Sequence, residues 1–371
     1  MNRMYIHQLA DWPKFKWPPE VTGVSSEVRL HQGALLGRMR EYGFQAQKRA
    51  ALDVIAEETI QSSAIEGVVL NRESVRSSLA RRLGLEAGGL RKEDRNVEGV
   101  VEMMLDATQK YAEPLTAERL FSWHGDLFPG VRTSRDKFRV GAWRDGPMQV
   151  VSGVVGKEQV HYEAPSSKLV EKEMTRFFSW FNSDEQPDPL LKAAIAHLWF
   201  VTIHPFEDGN GRIARAIAEL CLARSDKSEQ RFYSMSSEIM AERTDYYWNL
   251  EQTQKGSLDI TEWLIWFLKC LDRAINKVST ITNSALRVEL FWRTLKQKNV
   301  EVNDRQKKML NKLLLGFEGQ LTSEKWAKMT KVSQPSAWRD IQELIHAGVL
   351  EQGEGGSKNT SYSLKRVPEV L

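Results

Sequence analysis

The chain has 371 residues, of which 41% are hydrophobic and 27% charged, as in an ordinary soluble globular protein with room for roughly two or three domains. Its formal net charge of +3 is too small to indicate nucleic-acid binding by itself. Neither a secretory signal nor a run of about eighteen apolar residues is recognisable, so we predict a cytoplasmic protein without a membrane span. Cys221 and Cys270 lie in apolar helical contexts and are expected to be buried free thiols.

An aromatic, proline-rich segment comes first. Residues 5–20 contain Trp12-Pro13-Lys14-Phe15-Lys16-Trp17-Pro18-Pro19, which predicts an extended arm whose rings pack on the body of the protein. Peptide binding by this arm is the less favoured alternative. Apolar residues spaced three and four apart then indicate helices, with Asn71 as the cap of the third. The predicted helices cover Ser26 to about Phe44, about Arg49 to Glu66, and residues 71–83.

The second of these helices ends on a carboxylate. Its last residues are Ser62-Ser63-Ala64-Ile65-Glu66, and Gly67 is a natural stop signal just past the end. A negative charge in the last turn is unfavourable beside the negative end of the helix dipole. Glu66 therefore either lies exposed on the surface or pairs with a cation from another part of the fold.

A charged, glycine-containing loop over 84–94 leads to a region of helices interrupted by a hairpin. The predicted helices are Asn96–Lys110, Thr116–Phe128 and Ser166–Phe181. Between Arg139 and Pro165, two β-prone runs separated by a glycine and lysine turn predict a β-hairpin. An unspecialised surface hairpin would give the same pattern.

The most informative stretch is His204-Pro205-Phe206-Glu207-Asp208-Gly209-Asn210-Gly211-Arg212, which lies between two apolar helical runs. Two glycines let the backbone approach a ligand, and the positive end of the second helix favours an anion. Arg212 and Arg215 are three residues apart and can both reach phosphate. Asp208 suits magnesium, His204 can take a proton near neutral pH, and Phe206 is expected to anchor the loop. Together they indicate transfer of a phosphorus-containing group, whereas each residue alone would fit an ordinary turn.

The rest of the chain divides into a closing segment and a small module. A helix beginning near Glu242 carries Tyr246 and Tyr247, and Ile260–Asn276 is an apolar buried helix. A helix over Leu286–Lys298 leads to the module, whose helices and glycine-tipped hairpin resemble a winged helix-turn-helix. The helices of the module are predicted over Arg305–Leu315, Ser323–Met329 and Ser333–Ala347, followed by a hairpin from Val349 to Leu364.

The function of this module stays open between DNA binding and protein docking or homodimerisation. The third helix would present Gln334, Ser336, Trp338 or Arg339 to a DNA groove. Residues 301–371 contain 11 Lys and Arg against 9 Asp and Glu, a net charge of +2. Because specific DNA binding usually rests on many phosphate contacts, this small charge favours a protein partner.

The residues from His204 to Arg215 match, without departure, the signature His-x-Phe-x-Asp-Gly-Asn-Gly-Arg-x-x-Arg, so the chain resembles the Fic (filamentation induced by cyclic AMP) family. The resemblance implies a mainly α fold with a Fic-type helical core and a β-hairpin flap. It implies transfer of AMP from ATP, with Mg²⁺ on Asp208, to a Ser, Thr or Tyr hydroxyl of a target protein or of the chain itself, His204 being the catalytic base. The implied ATP-binding residues are Glu66, Val150, Val151, Ser152, Gly153, Asp208, Gly209, Asn210, Gly211, Arg212, Ile213, Ala214, Arg215, Tyr246, Tyr247 and Gln254.

Further features carry the same resemblance. Ser62-x-x-x-Glu66-Gly67 is similar to the family's inhibitory pattern, which implies that Glu66 pairs with Arg215 and removes the arginine that should hold the γ-phosphate. Gly141-x-x-Arg144 is similar to the element before the flap, whose exposed edge would align a target segment by strand addition. In relatives an asparagine often lies eight residues past the first tyrosine, where this chain has Gln254.

The implied organisation is an N-terminal region with the inhibitory helix over residues 1–95, a catalytic core over 96–285, and a linker helix with the winged-helix-like module over 286–371. Two alternatives to the transferase remain. One is removal of AMP from a protein at the same site, with Glu66 orienting water. The other is a DNA-binding regulator whose core only senses nucleotide, against which the intact His204 argues because a pure sensor needs no base.

Overall fold

The computed structural model of the protein describes residues 4–41, 44–84, 94–129, 139–153, 158–183, 188–314, 317, 320–353 and 360–365. The chain divides into two compact units, Met1–Val278 and Ser279–Leu371. As predicted, it is mainly helical, with small two-stranded sheets. Within the described ranges, no helix combines the length and apolar character that crossing a bilayer requires.

The first unit consists of helices around one β-hairpin. Its helices are α1 (Glu20–Arg40), α2 (Phe44–Ile65), α3 (Arg72–Arg82), α4 (Arg95–Gln109), α5 (Ala117–Leu127), α6 (Ser167–Asn182), α7 (Pro189–Ile203), α8 (Asn210–Asp226), α9 (Met235–Ala241), α10 (Arg243–Gln254) and the first part of α11 (Thr261–Gln297). Asn71 and Thr116 cap α3 and α5 with their side chains, as predicted. Cys221 and Cys270 are buried free thiols, as expected.

The centre of this unit is the pair α7 and α8. Every residue of α7 from Leu190 to Ile203 is buried, because the helix is apolar on all sides and is covered on all sides. Helix α8 is buried over almost all of its length, including two arginines of the signature. The six-residue connection between the two helices therefore projects from one end of a rigid core, which fixes the position of its side chains.

The hairpin is formed by β1 (Gln149–Ser152) and β2 (Gln159–Glu163), which pair antiparallel. Val150 pairs with Tyr162 and Val151 pairs with Val160, so a β-bulge leaves His161 without a partner on β1. Residues 154–157, which contain part of the predicted first strand, lie outside the described residues. The prediction of a hairpin at this place is confirmed.

The N-terminal arm packs on the body of the unit, although it is not uniformly extended. Ile6–Gln8 form a turn of 3-10 helix, and the rings of Tyr5 and Trp12 are buried. The Trp12 indole Nε1 donates to Glu173 Oε2 at 2.9 Å, and Lys16 forms a parallel bridge with Asp259. The Trp12 side chain thus secures the arm to α6, and the backbone of Lys16 secures it to the segment before α11.

The observed helices differ from the predicted ones at several places, and α2 begins at Phe44, five residues before the predicted start near Arg49. Helix α1 begins at Glu20, six residues early, because two prolines preorganise its first turn. The predicted helices over Ile260–Asn276 and Leu286–Lys298 are parts of one continuous helix, α11. The short helix α9 was missed; the Ser234 hydroxyl caps it by accepting from Ser237 N at 3.2 Å.

The second unit contains the remainder of α11, three short helices and a hairpin. These elements are α12 (Asp304–Leu314), α13 (Ser323–Thr330), α14 (Gln334–His346), β3 (Leu350–Gln352) and β4 (Tyr362–Leu364). The guanidinium of Arg305 makes two hydrogen bonds of 2.9 Å to the carboxylate of Asp340, which ties α12 to α14. Gly355 and Gly356 of the expected hairpin tip lie outside the described residues. The winged-helix assignment and its DNA or protein partner stay predictions.

Candidate active site

The connection between α7 and α8 is a tight loop that needs unusual backbone conformations at both ends. His204 ends α7 in the left-handed region, with φ 52° and ψ 59°. Gly209 precedes α8 with φ +80°, and a Cβ built there would lie 3.1 Å from Phe128 and 3.2 Å from Leu127. Glycine is thus required at 209 both for its conformation and for the lack of space.

Asn210 and Phe206 hold the loop closed. The Asn210 side chain accepts from Phe206 N at 3.0 Å and donates to Phe206 O at 2.8 Å. The Phe206 ring is fully buried and stacks on His124 with ring centroids 4.2 Å apart, as its predicted anchoring role requires. Because both polar groups of the Asn210 amide bond the Phe206 backbone, the side chain braces the loop in this conformation.

Arg144, whose position but not role was noted in the sequence, secures the hairpin to the loop. Its Nε donates to His204 O at 2.7 Å, and its Nη2 donates to Pro165 O at 2.5 Å. Its backbone N–H donates to Pro205 O at 3.0 Å. The guanidinium, only 3% exposed, thus ties the base of the hairpin to the carbonyl of His204.

The imidazole of His204 is oriented for proton acceptance at one nitrogen. Nδ1 lies 3.1 Å from Val201 O, and since a carbonyl can only accept, Nδ1 carries the hydrogen. Nε2 is then the acceptor in the neutral ring. Burial lowers the pKa of His204 to about 4, against which the hydrogen bond to Val201 acts. His204 is therefore neutral at physiological pH.

Arg215 forms the floor of the site and is almost completely buried, with 2% of its surface exposed. Its Nε and Nη2 donate to the hydroxyl and the carbonyl of Ser62, at 2.9 and 2.7 Å. Its Nη2 is also 2.9 Å from Glu66 Oε1. Burial lowers the pKa of this guanidinium, but the charge of Glu66 outweighs it and raises the pKa above its usual value. The structure brings together the pair that the sequence predicted.

The carboxylate of Glu66 lies directly against the first turn of α8. A Cβ built on Gly211 would be 2.1 Å from Glu66 Oε1. Glu66 thus occupies the space in front of the helix N-terminus, where an anion is most favoured. Arg212, which is 6% exposed and lies over the Phe128 ring at 5.1 Å, is beside it.

Of the other residues predicted to bind ATP, some are accessible and some are buried. The Asp208 side chain is 61% exposed, its Oδ1 accepts from Gly209 N at 2.6 Å and lies 3.9 Å from Arg212. Ile213 and Ala214 have no exposed surface, and Ile213 N donates to Gly209 O at 3.0 Å, so the prediction that these two residues contact ATP does not fit this structure.

Helix α10 carries the predicted tyrosines and meets the end of α2. Tyr247 is 37% exposed, and its hydroxyl lies 3.3 Å from Ile65 O and 3.5 Å from Glu66 Oε2. Arg243 Nε also donates to Ile65 O at 2.8 Å. Tyr246 is buried and bonded to His197, and Gln254 is buried with Nε2 3.4 Å from the Thr202 hydroxyl. Of these predicted adenine-side residues, Tyr247 is the accessible one.

The hairpin residues predicted at the site lie on β1 or, for Gly153, directly after it. Val151, Ser152 and Gly153 are exposed and Val150 is half-buried. The Ser152 hydroxyl is 2.5 Å from His161 Nε2, and His161 Nδ1 is 2.7 Å from Glu251 Oε2 on α10. The sequence did not indicate this chain of contacts, which joins residues from three separate elements.

Two parts of the chain match known families. Residues 114–222 match the model of the Fic/DOC family, and residues 5–85 match a domain of unknown function, DUF4172. The protein adenylyltransferase Fic of Nematostella vectensis is 25% identical over 240 residues, covering 63% of this chain and 51% of the relative. The protein adenylyltransferase fic-1 of Caenorhabditis elegans is 36% identical over 81 residues, covering 20% of this chain and 16% of the relative. This chain spans about half or less of the length of these curated relatives.

A solved structure supports the fold. A Fic family protein from Desulfovibrio desulfuricans G20 superimposes with a TM-score of 0.54 at 20% identity, covering 97% of this chain and 99% of that one. A Fic domain-containing signaling protein from Bacteroides thetaiotaomicron gives a TM-score of 0.50 over 71% of this chain. The chain therefore has a Fic-type helical fold, and its residues 114–222 match the Fic/DOC family.

Proposed function

We propose that this Fic-domain chain is an autoinhibited protein adenylyltransferase, which transfers AMP from ATP to a Ser, Thr or Tyr hydroxyl of a target protein. The observation that carries the proposal is the carboxylate of Glu66 on Gly211 and Arg215. An anion already occupies the N-terminus of α8, next to an oriented imidazole. The similar proteins of Nematostella vectensis and Caenorhabditis elegans are named protein adenylyltransferases, which agrees with this chemistry.

The phosphates of ATP would bind where Glu66 now lies. The backbone N–H groups at the start of α8 and the side chains of Arg212 and Arg215 would hold them and offset the negative charge that develops during transfer. Asp208 at the rim would hold magnesium, which shields phosphate charge when bound. One exposed carboxylate fits this task because magnesium is usually bound by one or two carboxylates together with substrate phosphates.

His204 would act as the general base. The target hydroxyl donates its proton to Nε2 while its oxygen forms a bond to the α-phosphorus. The bond from that phosphorus to the bridging oxygen breaks, and pyrophosphate leaves with the electron pair. The Val201 carbonyl keeps Nδ1 protonated and so keeps Nε2 ready to accept.

Autoinhibition would follow from competition for Arg215. While Glu66 binds this arginine, the γ-phosphate lacks its main cationic partner and ATP cannot adopt the position needed for in-line attack. Arg243 and Tyr247 contact the Ile65 carbonyl and keep the end of α2 in place. The exposed edge of β1 would align the target segment by backbone pairing.

The test compares Glu66→Gly with Glu66→Gly/His204→Ala, each incubated with magnesium and ATP labelled at the α- or the γ-phosphorus. Ser152 is replaced by alanine in both proteins, because its exposed hydroxyl contacts His161 and not His204. We expect α-label but no γ-label on protein, at a rate about 100-fold or more lower without His204. Transfer of γ-label would instead show a kinase, and equal labelling of both proteins would exclude His204 as the base.

A further inference from the structure

Helix α2 carries a buried carboxylate about two turns before Glu66. Glu58 is 3% exposed. Its Oε2 accepts from the Ser234 hydroxyl at 2.7 Å and from Ser236 N at 2.9 Å, and its Oε1 accepts from the Ser236 hydroxyl. Glu58 thus joins α2 to the start of α9, and all three donors lie outside the signature.

Stability alone does not account for an acid at this position. The three donors are hydroxyl and amide groups without positive charge, so they offset only part of the cost of removing a carboxylate from water. Replacement of buried charged groups by apolar residues often leaves a protein equally or more stable. The buried residues Ile55 and Ala56 of the same helix are apolar. What a carboxylate adds is position, because its oxygens meet all three donors only when α2 lies at one place along its axis.

A second attachment point lies at the end of α2. The Ile65 carbonyl accepts from Arg243 Nε at 2.8 Å and from the Tyr247 hydroxyl at 3.3 Å. Glu58 and Ile65 are seven residues apart, and so are their partners Ser236 and Arg243. The last two turns of α2 therefore run alongside α9 in the same direction, attached at both ends to consecutive helices.

The position of α2 along its axis decides whether Glu66 meets Arg215. Glu66 Oε1 is 2.9 Å from Arg215 Nη2, and a hydrogen bond is lost at about 3.6 Å. Ser62, which accepts two hydrogen bonds from Arg215, lies four residues after Glu58 and therefore on the same helix face. A shift of α2 by one turn, about 5.4 Å, would remove the Glu66 contact.

We propose that Glu58 is a positioning residue for the autoinhibition: its contacts with α9 fix α2 at the place where Glu66 reaches Arg215. This inference rests on the proposed function, because it concerns the regulation of the same site. Without these contacts α2 samples positions in which Glu66 has left Arg215 and the space for phosphate is open. Since Glu58 lies outside the nucleotide site, its loss leaves His204 and the signature arginines in place.

The test measures automodification by variants of the full-length chain, as the initial rate of label transfer from ATP labelled at the α-phosphorus, together with the Kd for MgATP. Glu58→Ala should raise the rate about tenfold and lower the Kd about tenfold, the factor that corresponds to one lost hydrogen bond to a charged group. Glu58→Gln, which keeps the size of the side chain but only one acceptor oxygen, should shift both values in the same direction by less. General damage to the fold would lower the rate, so an increase distinguishes positioning from a merely structural role.

Two matched comparisons complete the test. Glu57→Ala removes the neighbouring acid of α2, which pairs with Arg72 at the surface, and should leave the rate and the Kd unchanged. Glu66→Gly has no inhibitory carboxylate to position. Adding Glu58→Ala to it should therefore change neither value by more than about twofold.

Each contrary outcome is distinguishable. An unchanged or lower rate in both Glu58 variants, while Glu66→Gly transfers label, would overturn the positioning role and leave the proposed function standing. A tenfold rise on adding Glu58→Ala to Glu66→Gly would show that Glu58 acts other than through Glu66. An equal rise in Glu57→Ala would show that the contact with α9 is not the cause. Absence of label from Glu66→Gly itself would remove the proposed function together with this inference.

Discussion

Replacement of Glu66 by glutamine is the sharpest test of competition at Arg215. Glutamine has nearly the same shape and keeps an oxygen that can accept from Arg215, but it removes the negative charge. If Glu66 competes with ATP phosphates, Glu66→Gln should bind MgATP more tightly than the parent chain. The fold should be little affected, since Arg215 keeps its two hydrogen bonds to Ser62.

The expected size of the effect follows from the contact. The structure gives one direct contact of 2.9 Å between Arg215, 2% exposed, and Glu66, 30% exposed. A hydrogen bond to a charged group contributes about 1.5–3 kcal/mol, and solvent around Glu66 places this contact at the low end. Loss of about 1.4 kcal/mol from the inhibited state corresponds to roughly tenfold tighter ATP binding.

The assay is isothermal titration of the parent and variant with MgATP, together with thermal unfolding of each. Glu57→Gln is the matched control, because Glu57 lies on α2, which ends directly before Glu66, and pairs with Arg72 at the surface. We expect the control to bind ATP like the parent. An equal Kd for Glu66→Gln and the parent, with both proteins folded, would refute the competition.

Three further predictions concern stability. Asn210→Ala leaves the Phe206 backbone without two partners and should cost about 2–3 kcal/mol in chemical denaturation; an unchanged midpoint would contradict the bracing role. Gly99→Ala should lower the free energy of unfolding by about 3 kcal/mol, because the new Cβ would lie 1.7 Å from Asp126 O. Helix propensity alone predicts the opposite, a gain in stability. A more stable variant would therefore show that α4 and α5 can separate at no cost. Burial lowers the pKa of His124 to about 4 and of His197 to about 3, so the unfolded chain takes up protons before the folded chain as the pH falls below 6.5. The free energy of unfolding should therefore drop between pH 6.5 and 4.5. A constant free energy over this range would contradict neutral, buried imidazole rings at both positions.

The sequence predicted which residues of the candidate site lie together better than it predicted the contacts that support them. The spacing from His204 to Arg215 was visible because it completes a sequence signature. The charge of Glu66 was visible because a carboxylate is unfavourable at the negative end of a helix dipole. The partners of Arg215 at Ser62 are 153 residues away, and no local pattern indicates that a serine carbonyl will hold an arginine. The same limit applies to Arg144, whose main acceptors are backbone carbonyls distant in sequence.

The individual role of Asn210 shows a different limit. An amide at the start of a helix beside a phosphate site can bind the ligand or brace the loop, and both choices satisfy its donors and acceptors. The structure uses both polar groups on Phe206. Similarly, two adjacent tyrosines on α10 must point in different directions, and the sequence does not determine that Tyr246 is buried while Tyr247 is accessible.

The unsatisfied donors around Glu66 bear on how the proposed autoinhibition would work. Among the described residues, Arg212 Nε and Arg215 Nη1 are buried without a hydrogen-bond partner. One carboxylate cannot satisfy two guanidinium groups and a helix N-terminus, whereas a triphosphate has enough oxygens to do so. Glu66 would therefore be the weaker ligand contact for contact, and in the proposed autoinhibition it would compete because α2 holds it at a high effective concentration. The competition would then depend on the contacts that Arg243 and Tyr247 make with the Ile65 carbonyl. A change that loosens this end of α2 should favour the binding of ATP without altering any contact of the nucleotide.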